Sequence, residues 1–170
     1  MRMLPNILFF IVILVSDQVT KMIAQAKLSE GVLVEVIPDL FNLTLVYNRG
    51  AAFGMFSTWP DMLRRTVLTV VSLIALVVVV RFMFKEAKND WLSQLALSGI
   101  LAGALGNIAD RIRYDAVVDF LDFYWGNYHW PAFNVADSAI SVGVFLLVVR
   151  ILFAAEKVEE LGEVTEAPSS

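Results

Sequence analysis

The sequence predicts a mainly α integral membrane protein: a four-transmembrane-helix bundle with a small β-sheet and an adjoining aromatic-rich loop on one membrane face. Three observations carry that prediction. The 170 residues are 58% hydrophobic and only 18% charged, whereas a soluble domain averages about 25% charged. The apolar residues are gathered into four runs, each near the roughly 20 residues a helix needs to cross a hydrocarbon core of about 30 Å. Between the first two runs, residues 40–48 read LFNLTLVYN, with Leu43, Leu45 and Tyr47 alternating against Asn42, Thr44 and Asn48, which is strand periodicity.

The first span is expected at about 4–24, opening with LPNILFFIVILV. A rival reading is a cleavable secretory signal, since Arg2, the apolar stretch and Ala24-Gln25-Ala26 imitate one. Asp17 and Lys21, late in the segment, fit that rival poorly. A sheet is expected within about 31–56, with residues 32–36 as a second strand and Pro38-Asp39 as the turn. The second span, about 62–84, contains the uncharged run TVLTVVSLIALVVVV. A short polar turn at 85–90 leads to the third span, about 91–112. Residues 113–131 form the second long excursion, crowded with aromatics (FLDFYWGNYHWPAF) that suit interfacial anchoring. The fourth span is expected at about 132–153. Trp59, Trp91, Trp125 and Trp130 fall near the span ends, where amphipathic indoles prefer to sit. Residues 1–155 thus form one membrane-embedded domain, and 156–170, rich in Glu, a flexible tail.

Orientation does not follow from charge. Arg2, Arg81, Lys85, Lys88, Arg150 and Lys157 lie on the side of the ends, and Lys27, Arg49, Arg64, Arg65, Arg111 and Arg113 on the other, which is no bias. Composition excludes several chemistries. There is no Cys, so no disulfide, thiolate nucleophile or thiolate metal site exists. The single His129 cannot form a histidine cluster, and neither a Gly-x-Ser-x-Gly elbow nor an H-E-x-x-H helix is present. No basic stretch suits nucleic acid.

What remains is a layer of costly polar groups at one membrane level. Asp17 and Lys21 end the first span, Asn107, Asp110 and Arg111 the third, and Asn134 and Asp137 begin the fourth. Asn107, Asp110 and Arg111 share one helix face, as do Asn134, Asp137 and Ser141. Gly103 and Gly106 let a neighbour approach closely. Asp119 lies in VVDF, an apolar setting, and Asp122 follows it. Each group also has a plain structural reading. Asp17 and Lys21 can neutralise each other, Asp110 can pair with Arg111, Asp137 can favour a helix N-terminus, and Asp119 can face water. His129 reads as an interfacial side chain. Together, two carboxylates sharing one proton fit best: one activates a water, the other hydrogen-bonds a carbonyl oxygen. Asp119 and Asp137 are the best pair. A small proton-coupled transporter using the same carboxylates is the alternative, and a structural membrane subunit a third.

The motifs SDQVTK (16–21), VYNRGAAFG (46–54), AGALGNIADR (102–111), VVDF (117–120) and FNVADSAI (133–140) resemble, in order, those of the bacterial lipoprotein signal peptidases, also called signal peptidase II. The resemblance covers nearly the whole chain except the acidic tail. It implies an intramembrane aspartyl endopeptidase of four helices with an extracytoplasmic β-cradle. Such an enzyme frees the signal peptide from diacylglyceryl-modified prolipoproteins by cutting before the lipidated Cys. The implied catalytic residues are Asp119 and Asp137, and the implied substrate-binding residues Asn48, Asn107, Arg111 and Asn134. Asp17, Lys21, Gly50 and Asp110 match supporting positions. It implies no metal or other cofactor, a bacterial cytoplasmic (inner) membrane location with both ends cytoplasmic, a site near the outer leaflet, and globomycin-type inhibitors. Partners are then lipid-modified prolipoproteins and membrane lipids, and one bundle suffices as a monomer.

Overall fold

A computed structural model of the chain describes residues 3–50, 56, 58–85, 87 and 90–166, with side chains described only between residues 4 and 153. Four helices dominate: α1 (Met3–Lys27), α2 (Asp61–Lys85), α3 (Trp91–Tyr114) and α4 (Val135–Glu166). All are long and apolar enough to cross a membrane, α4 through Val135–Phe153. The expected spans therefore recur, with shifted ends. α4 starts later than residue 132 because Asn134 caps it, its Oδ1 accepting from the Asp137 amide at 2.9 Å. The backbone of α4 continues to Glu166, through most of the segment expected to be a flexible tail. Ala, Glu, Lys and Leu there all have high helix propensity. Residues 51–55 of the expected cradle, 86, 88 and 89 of the polar turn, and 167–170 of the tail lie outside the described residues.

α3 is the axis of the bundle. Two thirds of its apolar window is buried, whereas α1, α2 and α4 leave most of theirs exposed on the outside of the bundle. Small residues make this possible. A Cβ on Gly103 would lie 2.9 Å from Ile140 Cγ1 and closer still to the Ala136 carbonyl, so α4 rests directly on that glycine. A Cβ on Gly106 would lie 2.5 Å from Asp17 Oδ2, so α1 brings a carboxylate against bare backbone there. At the opposite end Asp90 caps α3, accepting from the Leu92 amide at 3.2 Å, and Arg150 of α4 donates to Asp90 Oδ2 at 2.8 Å.

The sheet is antiparallel throughout, in the order β1 (Val34–Ile37), β2 (Phe41–Asn48), β3 (Val117–Trp125), β4 (Tyr128–His129). The expected turn between β1 and β2 is present, with Asp39 at φ 59°. One expectation is corrected. The aromatic-rich segment is not a loop beside the sheet but half of it: β-branched and aromatic residues in VVDFLDFYW favour a pleated, half-buried strand. The buried face of β2 includes the polar Asn42 and Thr44, while Leu43 is only part-buried. Asn42 tolerates burial because its Nδ2 donates to Asp122 Oδ2 at 2.9 Å, and Asp122 also meets His129 Nδ1 at 2.9 Å. The apolar side chains of β1 and the tip residues Trp125 and Tyr128 are exposed.

Candidate active site

α3 ends at Tyr114, where Asp115 takes the left-handed conformation (φ 56°) and returns its amide to the Arg111 carbonyl at 3.1 Å. The chain then turns straight into β3. Asp110, on the last turns of α3, accepts from the Val118 amide at 3.1 Å. This bond pins the start of β3 and delivers Asp119 one residue later. β2 lies alongside with Val46 opposite Asp119. On the other flank Phe133 bridges Leu121, and the chain enters α4, which delivers Asp137 in its first turn.

Asp119 and Asp137 open onto one cavity of about 530 Å³, with Asn48, Gly50, Asn107 and Arg111 also on its wall. Two asparagines stand between the carboxylates. Asn134 Nδ2 donates to Asp119 Oδ1 at 2.7 Å, and Asn107 Nδ2 donates to Asp137 Oδ1 at 2.8 Å. The asparagines meet each other at 3.3 Å, Asn134 Nδ2 to Asn107 Oδ1. The second oxygen of Asp119 accepts from Asn48 Nδ2 at 3.1 Å, and Asn48 is oriented by the Gly50 amide, which donates to its Oδ1 at 3.0 Å.

Beneath this layer lies a buried charge cluster. Lys21 Nζ sits 2.9 Å from Asp17 Oδ2, 2.7 Å from Asp110 Oδ2 and 2.9 Å from Asn107 Oδ1. Lys21 and Asp17 are 2% and 0% exposed, so the ammonium spends all three protons on protein acceptors. Asp17 Oδ1 further accepts from the Ala136 amide at 2.9 Å, tying α1 to the start of α4. Among the described residues no buried side-chain nitrogen or oxygen lacks a partner.

Two expectations change. Asp110 pairs with Lys21 and the Val118 amide, not with Arg111, whose guanidinium instead faces the cavity. Asn134, expected to touch substrate, is 0% exposed and lies behind the carboxylates, so it positions Asp119. His129 serves Asp122 and stacks on Tyr124 at 5.1 Å. Gln18 escaped the sequence reading. Its Nε2 reaches Asp17 Oδ2 at 3.1 Å and Asp110 Oδ1 at 3.3 Å, and its place beside Asp17 in SDQVTK was the available signal.

Asp119 is 2% exposed. Burial, and then the neighbouring Asp137 charge, push its carboxyl up to about 7, against the opposing effect of the Asn48 and Asn134 hydrogen bonds and of Lys21. Two carboxyls facing one cavity, one with its proton held to neutral pH, are the equipment for general acid–base hydrolysis. Among the described residues no three or more His, Asp or Glu side chains gather in a way that would ligate one metal ion.

A family model described as signal peptidase (SPase) II matches residues 9–153. The lipoprotein signal peptidase of Sulfurihydrogenibium sp. (strain YO3AOP1) is 46% identical over 143 residues, covering 84% of this chain and 87% of that protein. The lipoprotein signal peptidase of Syntrophus aciditrophicus (strain SB) is 43% identical over 151 residues, covering 87% and 94%. A bacterial membrane enzyme solved by the in meso method at 2.3 Å superposes with a TM-score of 0.80 at 34% identity, over 98% of this chain and 94% of that one. A second, solved at 1.9 Å, gives 0.76 at 36% identity over 87% and 92%.

Proposed function

The chain belongs to the signal peptidase II family of membrane peptidases, and from that premise we propose that Asp119 and Asp137 together hydrolyse the peptide bond preceding the lipidated Cys of a diacylglyceryl-modified prolipoprotein. Family membership sets aside the transporter alternative. The observation that carries the reading is that the two carboxylates, from β3 and α4, open onto one cavity and are joined through Asn107 and Asn134.

A water held between the carboxyls is the nucleophile. The ionised carboxylate takes its proton as the oxygen bonds to the scissile carbonyl carbon, while the protonated one donates to the carbonyl oxygen as that oxygen gains charge. Collapse of the tetrahedral centre breaks the C–N bond, and the leaving amine of the Cys takes up the proton. Arg111 is a donor for a backbone carbonyl on either side of the cut, and Asn48 and Asn107 fix the carboxylates in register.

The cavity wall continues along α4 through Ile140 and Val142, an apolar flank suited to an acyl chain or signal peptide. A lipidated substrate thus arrives from the bilayer while its peptide bond meets water. The bundle then lies in the bacterial inner membrane with both ends in the cytoplasm and the sheet outside, working as a monomer, and a globomycin-type inhibitor occupies the same cavity.

The test is cleavage of a lipid-modified prolipoprotein by purified protein in detergent. Asp119→Asn and Asp137→Asn each lower the rate on the order of 10²–10⁴-fold while helicity and thermal unfolding stay near wild type. A folded variant of either kind that still cleaves at the wild-type rate removes the dyad.

A further inference from the structure

A second, smaller cavity of about 210 Å³ lies beside the active one, between the start of α2 and the end of α3. Four guanidinium groups face it, from Arg49, Arg64, Arg65 and Arg111, against two carboxylates, Asp61 and Asp115. Each carboxylate is already taken: Asp61 by Arg64 at 2.5 Å and Asp115 by Arg65. Arg49 is left over, with no ion pair or hydrogen bond among the described residues, while Arg111 lies in the field of Asp137, Asp119 and Asp110. The cavity therefore keeps about one positive charge beyond its own ion pairs, that of Arg49, beside a guanidinium balanced from the catalytic side, and the N-terminal end of α2 adds its partial positive charge.

Its depth is informative. Asp61 opens one membrane-spanning helix and Tyr114 closes another, so the cavity sits where lipid headgroups lie on the membrane face that carries the sheet. Leu68 and Thr69 form its lower wall. Below them α2 shows exposed apolar side chains, including Val71 and Ile74, at 58% each. Cations above an apolar, lipid-facing helix match the two ends of an anionic phospholipid. Guanidinium groups are suited to phosphate because their planar forks donate paired hydrogen bonds.

We propose that this cavity binds the phosphodiester of one anionic phospholipid of the phosphatidylglycerol type. The site depends neither on the proposed chemistry nor on which side of the membrane the sheet occupies. It shares Arg111 with the catalytic cavity, and its Arg49, Asp61 and Arg64 also line a cleft of about 810 Å³ that reaches Asp119, so a bound headgroup would set the position of the Arg111 guanidinium at the edge of the active site. The ligand chemistry, a phosphate anion, has two sources, a lipid headgroup or free phosphate, and the experiment separates them.

The experiment is native mass spectrometry of the full chain in detergent, with dioleoylphosphatidylglycerol, dioleoylglycerol or inorganic phosphate added. One phosphatidylglycerol per chain is expected to be retained, and no dioleoylglycerol. Each of Arg49→Gln and Arg65→Gln weakens retention about fivefold, from about 1 kcal/mol per basic residue near an anionic headgroup. Asp115→Asn frees Arg65 and strengthens retention, an outcome that misfolding does not produce. Lys27→Gln, on the same membrane face but away from the cavity, leaves retention unchanged. Inorganic phosphate displacing the lipid confirms a phosphate site, and phosphate binding without lipid retention overturns the lipid as its occupant. Equal weakening by Lys27→Gln and the arginine variants, or equal retention of dioleoylglycerol, overturns the site itself.

Discussion

Lys21 Nζ donates to Asn107 Oδ1 at 2.9 Å. An ammonium has donors only, so it fixes which end of the Asn107 amide faces it. The oxygen must point at Lys21, and the Nδ2 donor is thereby turned to Asp137 at 2.8 Å. A buried cation that touches neither catalytic candidate thus sets the orientation of a group that holds one of them.

Replacing Lys21 by Met leaves Asp17 and Asp110 buried without their counter-charge. Breaking a buried pair from one side costs about 3–5 kcal/mol. Thermal unfolding in detergent is expected to show a marked fall, with loss of cleavage at temperatures where the variant is still folded. An unchanged unfolding temperature would mean that the cluster contributes nothing to stability.

The pH profile of kcat/KM reports the free enzyme's acid and base. With the Asp119 carboxyl pushed up to about 7, its proton is present below that value and lost above it. Activity is therefore expected to decline on an alkaline limb centred near pH 7. Stability has the same sign. Between the unfolded value of about 3.9 and the folded one the native state binds more protons, so this group's contribution falls as pH rises across that window. An activity that stays flat from pH 6 to about pH 9 counts against a protonated Asp119.

Asn48 hydrogen-bonds Asp119 and favours its charged form. Asn48→Ala is expected to shift the alkaline limb to higher pH as well as to lower the maximal rate. A lowered rate with an unmoved limb would assign Asn48 to substrate contact alone.

Gly106 lies against Asp17 with no room for a methyl group. Gly106→Ala forces the carboxylate or α1 to move, which typically costs about 1–3 kcal/mol. The expected readout is a lower unfolding temperature, with Gly31→Ala as contrast because nothing lies within 4 Å of a Cβ there, although its φ of 72° adds backbone strain. Equal unfolding temperatures for Gly106→Ala and wild type would show that α1 does not approach α3 as closely as described.

The spans were legible because lipid imposes long apolar runs, and the polar layer because charge in such runs is rare. Asp119 and Asp137 stood out for that reason, as did the Asp17–Lys21 pair. β3 was less legible. Its aromatic residues serve strands and membrane interfaces equally, and its partner β2 lies over 70 positions earlier, so no local pattern announced the pairing. The burial of Asn134 was invisible for a related reason: an asparagine reads alike whether it faces a ligand or locks a neighbouring side chain. Gln18 was hidden because its acceptors on α3 are remote in sequence.

The Asp17–Lys21 contact on one helix turn also bears on how the protein is assembled. A chain inserted from its amino end places α1 in the bilayer before α3 and α4 have been made. Because acid and base stand at i and i+4, the two charges inside the span of α1 can enter the bilayer already paired and wait, with Lys27 left at the helix end. When α3 arrives, Lys21 acquires Asp110 and Asn107, and when α4 arrives, Asp17 acquires the Ala136 amide. The pair thus acts as a docking plug whose spare valences are filled in the order of synthesis.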